Sequence, residues 1–188
     1  MNPPLLTIHT DGASRGNPGD AAFAYTIARE GQGTIEDAGC LGELTNNQAE
    51  YTALVRALRC ALDLGPQHRV LVNSDSELMV KQMKGEYRVK NEELRPLYEQ
   101  ASRAARALAG GVTFEHVRRE QNKRTDELCN LALDGGVARP SAAAPREGNA
   151  LKADAIAVLS EAGALPTAEE VWEQLAKVLR RHGLQVPK

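Results

Sequence analysis

Four carboxylates stand where this chain passes from one element to the next: Asp11, Glu50, Asp75 and Asp126. Asp11 closes the β-branched stretch Leu5-Leu6-Thr7-Ile8-His9-Thr10, and Asp75 follows the apolar run Arg69 to Asn73. Glu50 and Asp126 each lie near the start of a helical pattern. Acids collected from such places make a site of oxygen atoms alone. Two like charges roughly 4 Å apart repel by about 4 kcal/mol at an effective dielectric near ~20, so gathered carboxylates protonate or bind cations. Oxygen ligands select hard ions, Mg²⁺ or Mn²⁺ over zinc. Two such ions about 3.5–4 Å apart activate water and stabilise the leaving oxygen in a phosphodiester displacement. Taken singly, each acid has a plainer account. Glu50 stands three places after Asn47 and can close a capping box, while Asp126 can be favoured by a helix dipole. Asp11-Gly12 is a common turn pair, and Asp75 before Ser76 can be a turn or cap residue. Only convergence of the four in space makes a site.

The elements that must bring them together are legible in outline. Strands are predicted at 5–11, 22–27 and 34–41, with a glycine-rich turn from Gly12 to Gly19 after the first. A period near 3.6 then places Tyr51, Leu54, Val55, Leu58, Ala61 and Leu62 on one stripe, with Asn47 as N-cap and Gly65-Pro66 as the stop. A strand at 69–73, helices at 76–83 and 92–108, a strand at 111–117 and a helix from about Arg124 to Gly135-Gly136 complete the order. A meander followed by helix–strand alternation predicts an α/β domain: a mixed sheet with helices on its faces. Chemistry in an open α/β sheet gathers beyond the carboxyl ends of strands. If the first and fourth strands are parallel neighbours, Asp11 and Asp75 reach the same end.

Composition bounds the rest. The 188 residues are 42% hydrophobic and 26% charged, which excludes a disordered or disulfide-built chain. No apolar run approaches the ~20 residues of a membrane span. No secretory signal is visible at the N-terminus, so a cytoplasmic monomer without membrane attachment is expected. Cys40, Cys60 and Cys129 are widely spaced and read as small buried apolar residues. The net charge of −2 speaks against nucleic-acid binding by global positive potential, yet permits a basic strip beside an acidic site. Small residues and two prolines from Arg139 to Pro145 mark a boundary. The chain is therefore divided into a catalytic domain at 1–139, a linker at 140–149 and a helical extension at 150–188. Thr167-Ala168-Glu169-Glu170 reads as a capping box in that extension, and Trp172 as the anchor of a helical hairpin. Two short helices cannot bury both apolar stripes alone, so the hairpin is expected to dock on its own domain or on a partner.

The words around the acids add a resemblance. Thr10-Asp11-Gly12-Ala13-Ser14-Arg15-Gly16-Asn17-Pro18-Gly19, Thr45-Asn46-Asn47-Gln48-Ala49-Glu50, Asn73-Ser74-Asp75-Ser76 and Asn122-Lys123-Arg124-Thr125-Asp126-Glu127-Leu128 stand in the order and spacing of type 1 ribonuclease H. The chain resembles that family over residues 4–136. The resemblance implies a ribonuclease H-like fold with a five-stranded mixed sheet ordered 3-2-1-4-5. It implies endonucleolytic cleavage of the RNA strand of an RNA–DNA hybrid, leaving 3′-hydroxyl and 5′-phosphate ends. Asp11, Glu50, Asp75 and Asp126 match the family's catalytic and metal-binding carboxylates, implying two Mg²⁺ or Mn²⁺ ions with substrate bound. Gly12, Asn17, Asn46 and Gln48 match its contacts to ribose and minor groove, where amides meet base edges and the 2′-hydroxyl. Thr45 and Asn46 look like part of a pocket for a phosphate of the DNA strand. Arg118, Arg119 and Lys123 are placed for contact with the nucleic-acid backbone.

Two features depart from many members. The connection Arg118-Arg119-Glu120-Gln121-Asn122-Lys123-Arg124 carries no histidine, and His116 is expected on the preceding strand. Residues 81–106 carry no inserted basic protrusion rich in aromatics, although Lys81, Lys84, Arg88 and Lys90 could line a phosphate track or a solvated helix face. The alternatives are a noncatalytic hybrid-binding module and a DNA nuclease of the same fold. Four retained acids argue against the first, and the amide-bearing Thr45–Glu50 word against the second.

Overall fold

Strands rich in β-branched residues meet first along the chain. In the computed structural model, which describes residues 4–135, β1 (Leu5–Gly16), β2 (Gly19–Arg29) and β3 (Ile35–Leu44) form an antiparallel meander. There follow α1 (Asn46–Leu64), β4 (Arg69–Ser74), α2 (Glu77–Met83), α3 (Arg95–Ala107), β5 (Val112–His116), a 3₁₀ turn over Arg119–Gln121 and α4 (Lys123–Leu133). β4 runs parallel to β1 and β5 parallel to β4, giving the expected order β3-β2-β1-β4-β5. Parallel neighbours need a crossover, which α1 supplies between β3 and β4, and α2 with α3 between β4 and β5.

Alternation along β2 divides the core between two faces. Phe23, Tyr25 and Ile27 join Leu6, Ile8 and the α1 side chains Tyr51, Leu54, Val55 and Leu58 in the larger cluster. Burying each such large apolar side chain contributes about 1.5–3 kcal/mol, so this face anchors α1 to the sheet. Ala22 and Ala24 point the other way and, with Ala38, receive Leu128, Cys129 and Ala132 of α4. Small side chains there let α4 lie close to β1 and β2.

Three expectations are corrected. β1 does not end before a glycine-rich turn. It continues to Gly16, paired with β2 from Asp11↔Ala24 to Gly16↔Gly19, and the turn is only Asn17-Pro18. Cross-strand hydrogen bonding overrides the glycines' preference for turns. The N-cap of α1 is Thr45, not Asn47: its hydroxyl accepts from Gln48 N, and the Gln48 side chain returns to the Thr45 N–H. Gln48 therefore fills the role assigned to Glu50, which is left without a capping duty. Cys60 and Cys129 are buried as expected, but Cys40 is exposed and its thiol donates to Ala132 O at 3.0 Å. The predicted helical hairpin at 150–188, the linker and Trp172 lie outside the described residues. Among the described residues, no helix is long and apolar enough to cross a membrane.

Candidate active site

The last β1–β4 pair is Thr10↔Ser74, so Asp11 and Asp75 both stand one residue beyond it, at the same end of the sheet. Parallel pairing thus does what the sequence argument required. Glu50 arrives from above. A Cβ on Gly12 would lie 2.1 Å from Glu50 N and 2.3 Å from Ala49 C, so the start of α1 rests on bare backbone. Gly12 is needed for this approach, and the space beside it is taken by α1.

One oxygen from each of Asp11, Glu50 and Asp75 lies within 4.8 Å of the others. Asp11 is 6% exposed and Glu50 5%, and Glu50 Oε2 is buried without a hydrogen-bond partner. Burial, then the charges of Asp75 and Asp126, push the Asp11 carboxyl up to about 6, against partial relief from the Gly12 N–H and Arg119. Burial, followed by the charges of Asp11 and Asp75, likewise holds Glu50 well above the ordinary glutamate range. Beneath them the Cys129 thiol is raised by burial and by the same acids, and its Sγ donates to Asp11 O at 3.5 Å.

Asp126 stands in the first turn of α4, near enough for its charge to act on Asp11, but outside the group of three. Its Oδ1 accepts from Arg119 Nη2 at 2.6 Å and its Oδ2 from Asn130 Nδ2 at 3.2 Å. A cavity of about 260 Å³ opens beside it, lined by Arg119, Glu120, Lys123 and Asp126. The donors of the cluster are carboxylate oxygens alone, one of them orphaned, and burial followed by neighbouring charge raises the proton affinity of Asp11 and Glu50. That set fits a hard divalent cation.

The remaining candidates surround this end of the sheet. Asn17 Oδ1 accepts from Asn46 N at 3.2 Å, which ties the β1–β2 turn to the start of α1. Thr45 and Gln48 are bound to each other in the capping box, and Gln48 Nε2 donates to Glu93 at 3.4 Å. Arg118 and Lys123 are exposed, and His116 is exposed on β5 as expected. Of the basic residues after β4, Lys81 is held by Glu77 at 2.6 Å and lies over the Tyr87 ring. Sequence reasoning missed Asn122, whose amide bonds Asp75 Oδ1 at 2.8 Å, and missed the pairing of Arg119 with Asp126. Asn122 belonged to a recognisable word, but nothing in its residue type announces a buried double donor.

The sequence profile described as reverse transcriptase-like matches residues 9–132. A ribonuclease HI from Halobacterium salinarum is 40% identical over 127 residues, covering 66% of this chain and 62% of that protein. A ribonuclease H from Mesorhizobium japonicum is 30% identical over 161 residues, covering 78% of this chain and 90% of that one. Among solved structures, LC11-RNase H1 in complex with an RNA/DNA hybrid superimposes with a TM-score of 0.65 at 40% identity, covering 69% of this chain and 97% of that one. The chain spans 38% of the length of a bifunctional relative from Mycobacterium tuberculosis.

Proposed function

Because the chain belongs to the type 1 ribonuclease H family, we propose that it is a metal-dependent endonuclease hydrolysing the RNA strand of RNA–DNA hybrids, leaving 3′-hydroxyl and 5′-phosphate ends. The observation that carries the proposal is the convergence of Asp11, Glu50 and Asp75 within 4.8 Å around an unpartnered buried oxygen. A module that only bound nucleic acid would gain nothing from an anionic cluster that repels phosphate.

In this reading Asp11, Glu50 and Asp75 hold divalent cations, Mg²⁺ or Mn²⁺, and Asp126 completes the set when substrate binds. Two bound ions would supply an activated water and a charge on the leaving oxygen. The chain's own residues do the rest. Burial and neighbouring charge raise the proton affinity of Asp11 and Glu50 in the free protein, and any proton they carry would be released on loading. Arg118, Arg119 and Lys123 hold backbone phosphates beside Asp126. Asn17, Asn46 and Gln48 offer amides to the minor groove, and Thr45 lies beside a phosphate of the DNA strand.

The test is strand-labelled cleavage of one sequence as RNA–DNA hybrid, double-stranded RNA and double-stranded DNA, in Mg²⁺ and in Mn²⁺. Cleavage confined to the RNA strand of the hybrid is expected. Cutting of double-stranded DNA at a similar rate identifies a DNA nuclease of this fold, and tight hybrid binding without cleavage identifies a binding module.

A further inference from the structure

Asn122 is bonded to the segments that carry three of the four acids, Asp11, Asp75 and Asp126, yet has no charge of its own. It lies between the 3₁₀ turn and α4 and is 2% exposed. Its amide nitrogen donates to Thr10 O at 3.0 Å and to Asp75 Oδ1 at 2.8 Å. Thr10 precedes Asp11 in β1, and the Asn122 carbonyl accepts from Asp126 N at 3.2 Å at the start of α4. The Thr125 hydroxyl lies 2.7 Å from Asn122 Oδ1 and 2.8 Å from Asn122 O. An amide has two N–H donors and a carbonyl oxygen with two lone pairs, so both donors and one lone pair are committed in one orientation. With the oxygen facing Thr125, both donors face β1 and Asp75. Aspartate has the same outline but no donors, and alanine has neither.

We propose that Asn122 is a positioning residue for the acidic cluster: by binding Asp75 Oδ1 and Thr10 O at once, it fixes the Asp75 carboxylate and joins β1, the end of β4 and the start of α4. With one oxygen of Asp75 bound to the amide, the direction of the other is set before any cation arrives. This rests on the reading of the cluster as a cation site. Outer partners that orient a metal-binding carboxylate typically change metal affinity or activity by about 10–100-fold when removed.

The experiment compares wild type with Asn122→Ala and Thr125→Val in the full chain. Mn²⁺ binding is measured by calorimetry without nucleic acid, hybrid binding in chelator, and kcat and KM in Mg²⁺. Asn122→Ala is expected to weaken Mn²⁺ binding by at least about 10-fold and to lower kcat similarly. KM and chelator-state hybrid affinity should stay near wild type. Thr125→Val keeps the amide but frees its orientation, and its Mn²⁺ affinity should fall between the other two. A residue that merely glued the loop would lower the melting temperature and leave Mn²⁺ affinity of the folded protein unchanged. Wild-type Mn²⁺ affinity in folded Asn122→Ala overturns the proposal. If that variant does not fold, wild-type affinity in Thr125→Val overturns it. A wild-type protein that binds no Mn²⁺ and leaves hybrid intact overturns the reading of the cluster itself, a result distinct from either.

Discussion

The Arg119 guanidinium donates to the Asp126 carboxylate at 2.6 Å, placing a positive charge on the flank of the acidic cluster. Arg119 is 76% exposed, so the pair contributes at most about 1 kcal/mol to stability. Its effect is local: the same charge partly offsets the burial and repulsion that raise Asp11. On the proposed reading, Arg119 would compete with cations for Asp126 in the free protein and be available to phosphate once released.

Arg119→Ala should therefore move two quantities in opposite directions. Mn²⁺ binding without nucleic acid tightens a few-fold, while KM for hybrid rises and its salt dependence shrinks by about one phosphate contact. Calorimetry and cleavage assays over a salt series check this. A variant with weaker metal binding contradicts it.

Asp75→Asn should remove cleavage while leaving the fold in place. The amide keeps the shape of the side chain but loses the charge, and the loss in kcat should exceed roughly 100-fold, as for removal of a group that stabilises a transition state. Circular dichroism should match wild type. Equal turnover by the mutant removes Asp75 from the machinery.

Stability in chelator should depend on pH through Asp11. Its carboxyl is raised from 3.8 to about 6 in the fold, so between those values the folded state holds more protons than the unfolded one. Stability then falls as pH rises through this window, by about 3 kcal/mol in all, and Glu50 acts in the same direction. Denaturant titrations from pH 4 to pH 7 (chosen to span roughly that range), with Asp11→Asn as reference, isolate the effect. The difference between the two proteins should grow with pH in chelator and shrink in Mg²⁺. A difference independent of pH contradicts the assignment.

Gly12→Ala should be severely destabilising, because its methyl would meet α1 backbone at 2.1 Å and backbone cannot swing aside. A loss of about 3 kcal/mol or more is expected. Thermal melts measure it, and a near-neutral substitution would mean that α1 does not rest on β1 at this point.

Much of this molecule was legible in its residues. Leu5 to Thr10 and Arg69 to Asn73 carried enough apolar, β-branched character to place β1 and β4, and their parallel pairing brought Asp11 and Asp75 together as argued. Local patterns failed where a distant partner decides. Gly12 to Gly16 read as a turn because nothing local reveals that β2 returns along it. Thr45 and Asn47 are both good caps, and the choice falls to the one whose third neighbour, Gln48, can reach back. Asp126 was placed in the right turn of α4, but its partner Arg119 lies in the preceding connection, a contact that spacing alone does not define. Asn122 was invisible for the same reason, since its acceptors on Thr10 and Asp75 are more than forty residues away.

The alanine floor under α4 has a reach of its own. Ala24 pairs with Asp11 across β1 and β2, and with Ala22 and Ala38 it sets how deeply α4 can settle. Asp126 rides on the first turn of that helix. Adding bulk to this floor lifts the helix as a wedge lifts a lever, and the acid at its tip moves with it. On the proposed reading, the appetite of the site for cations would thus be tunable from positions that never meet an ion, by the thickness of a few methyl groups.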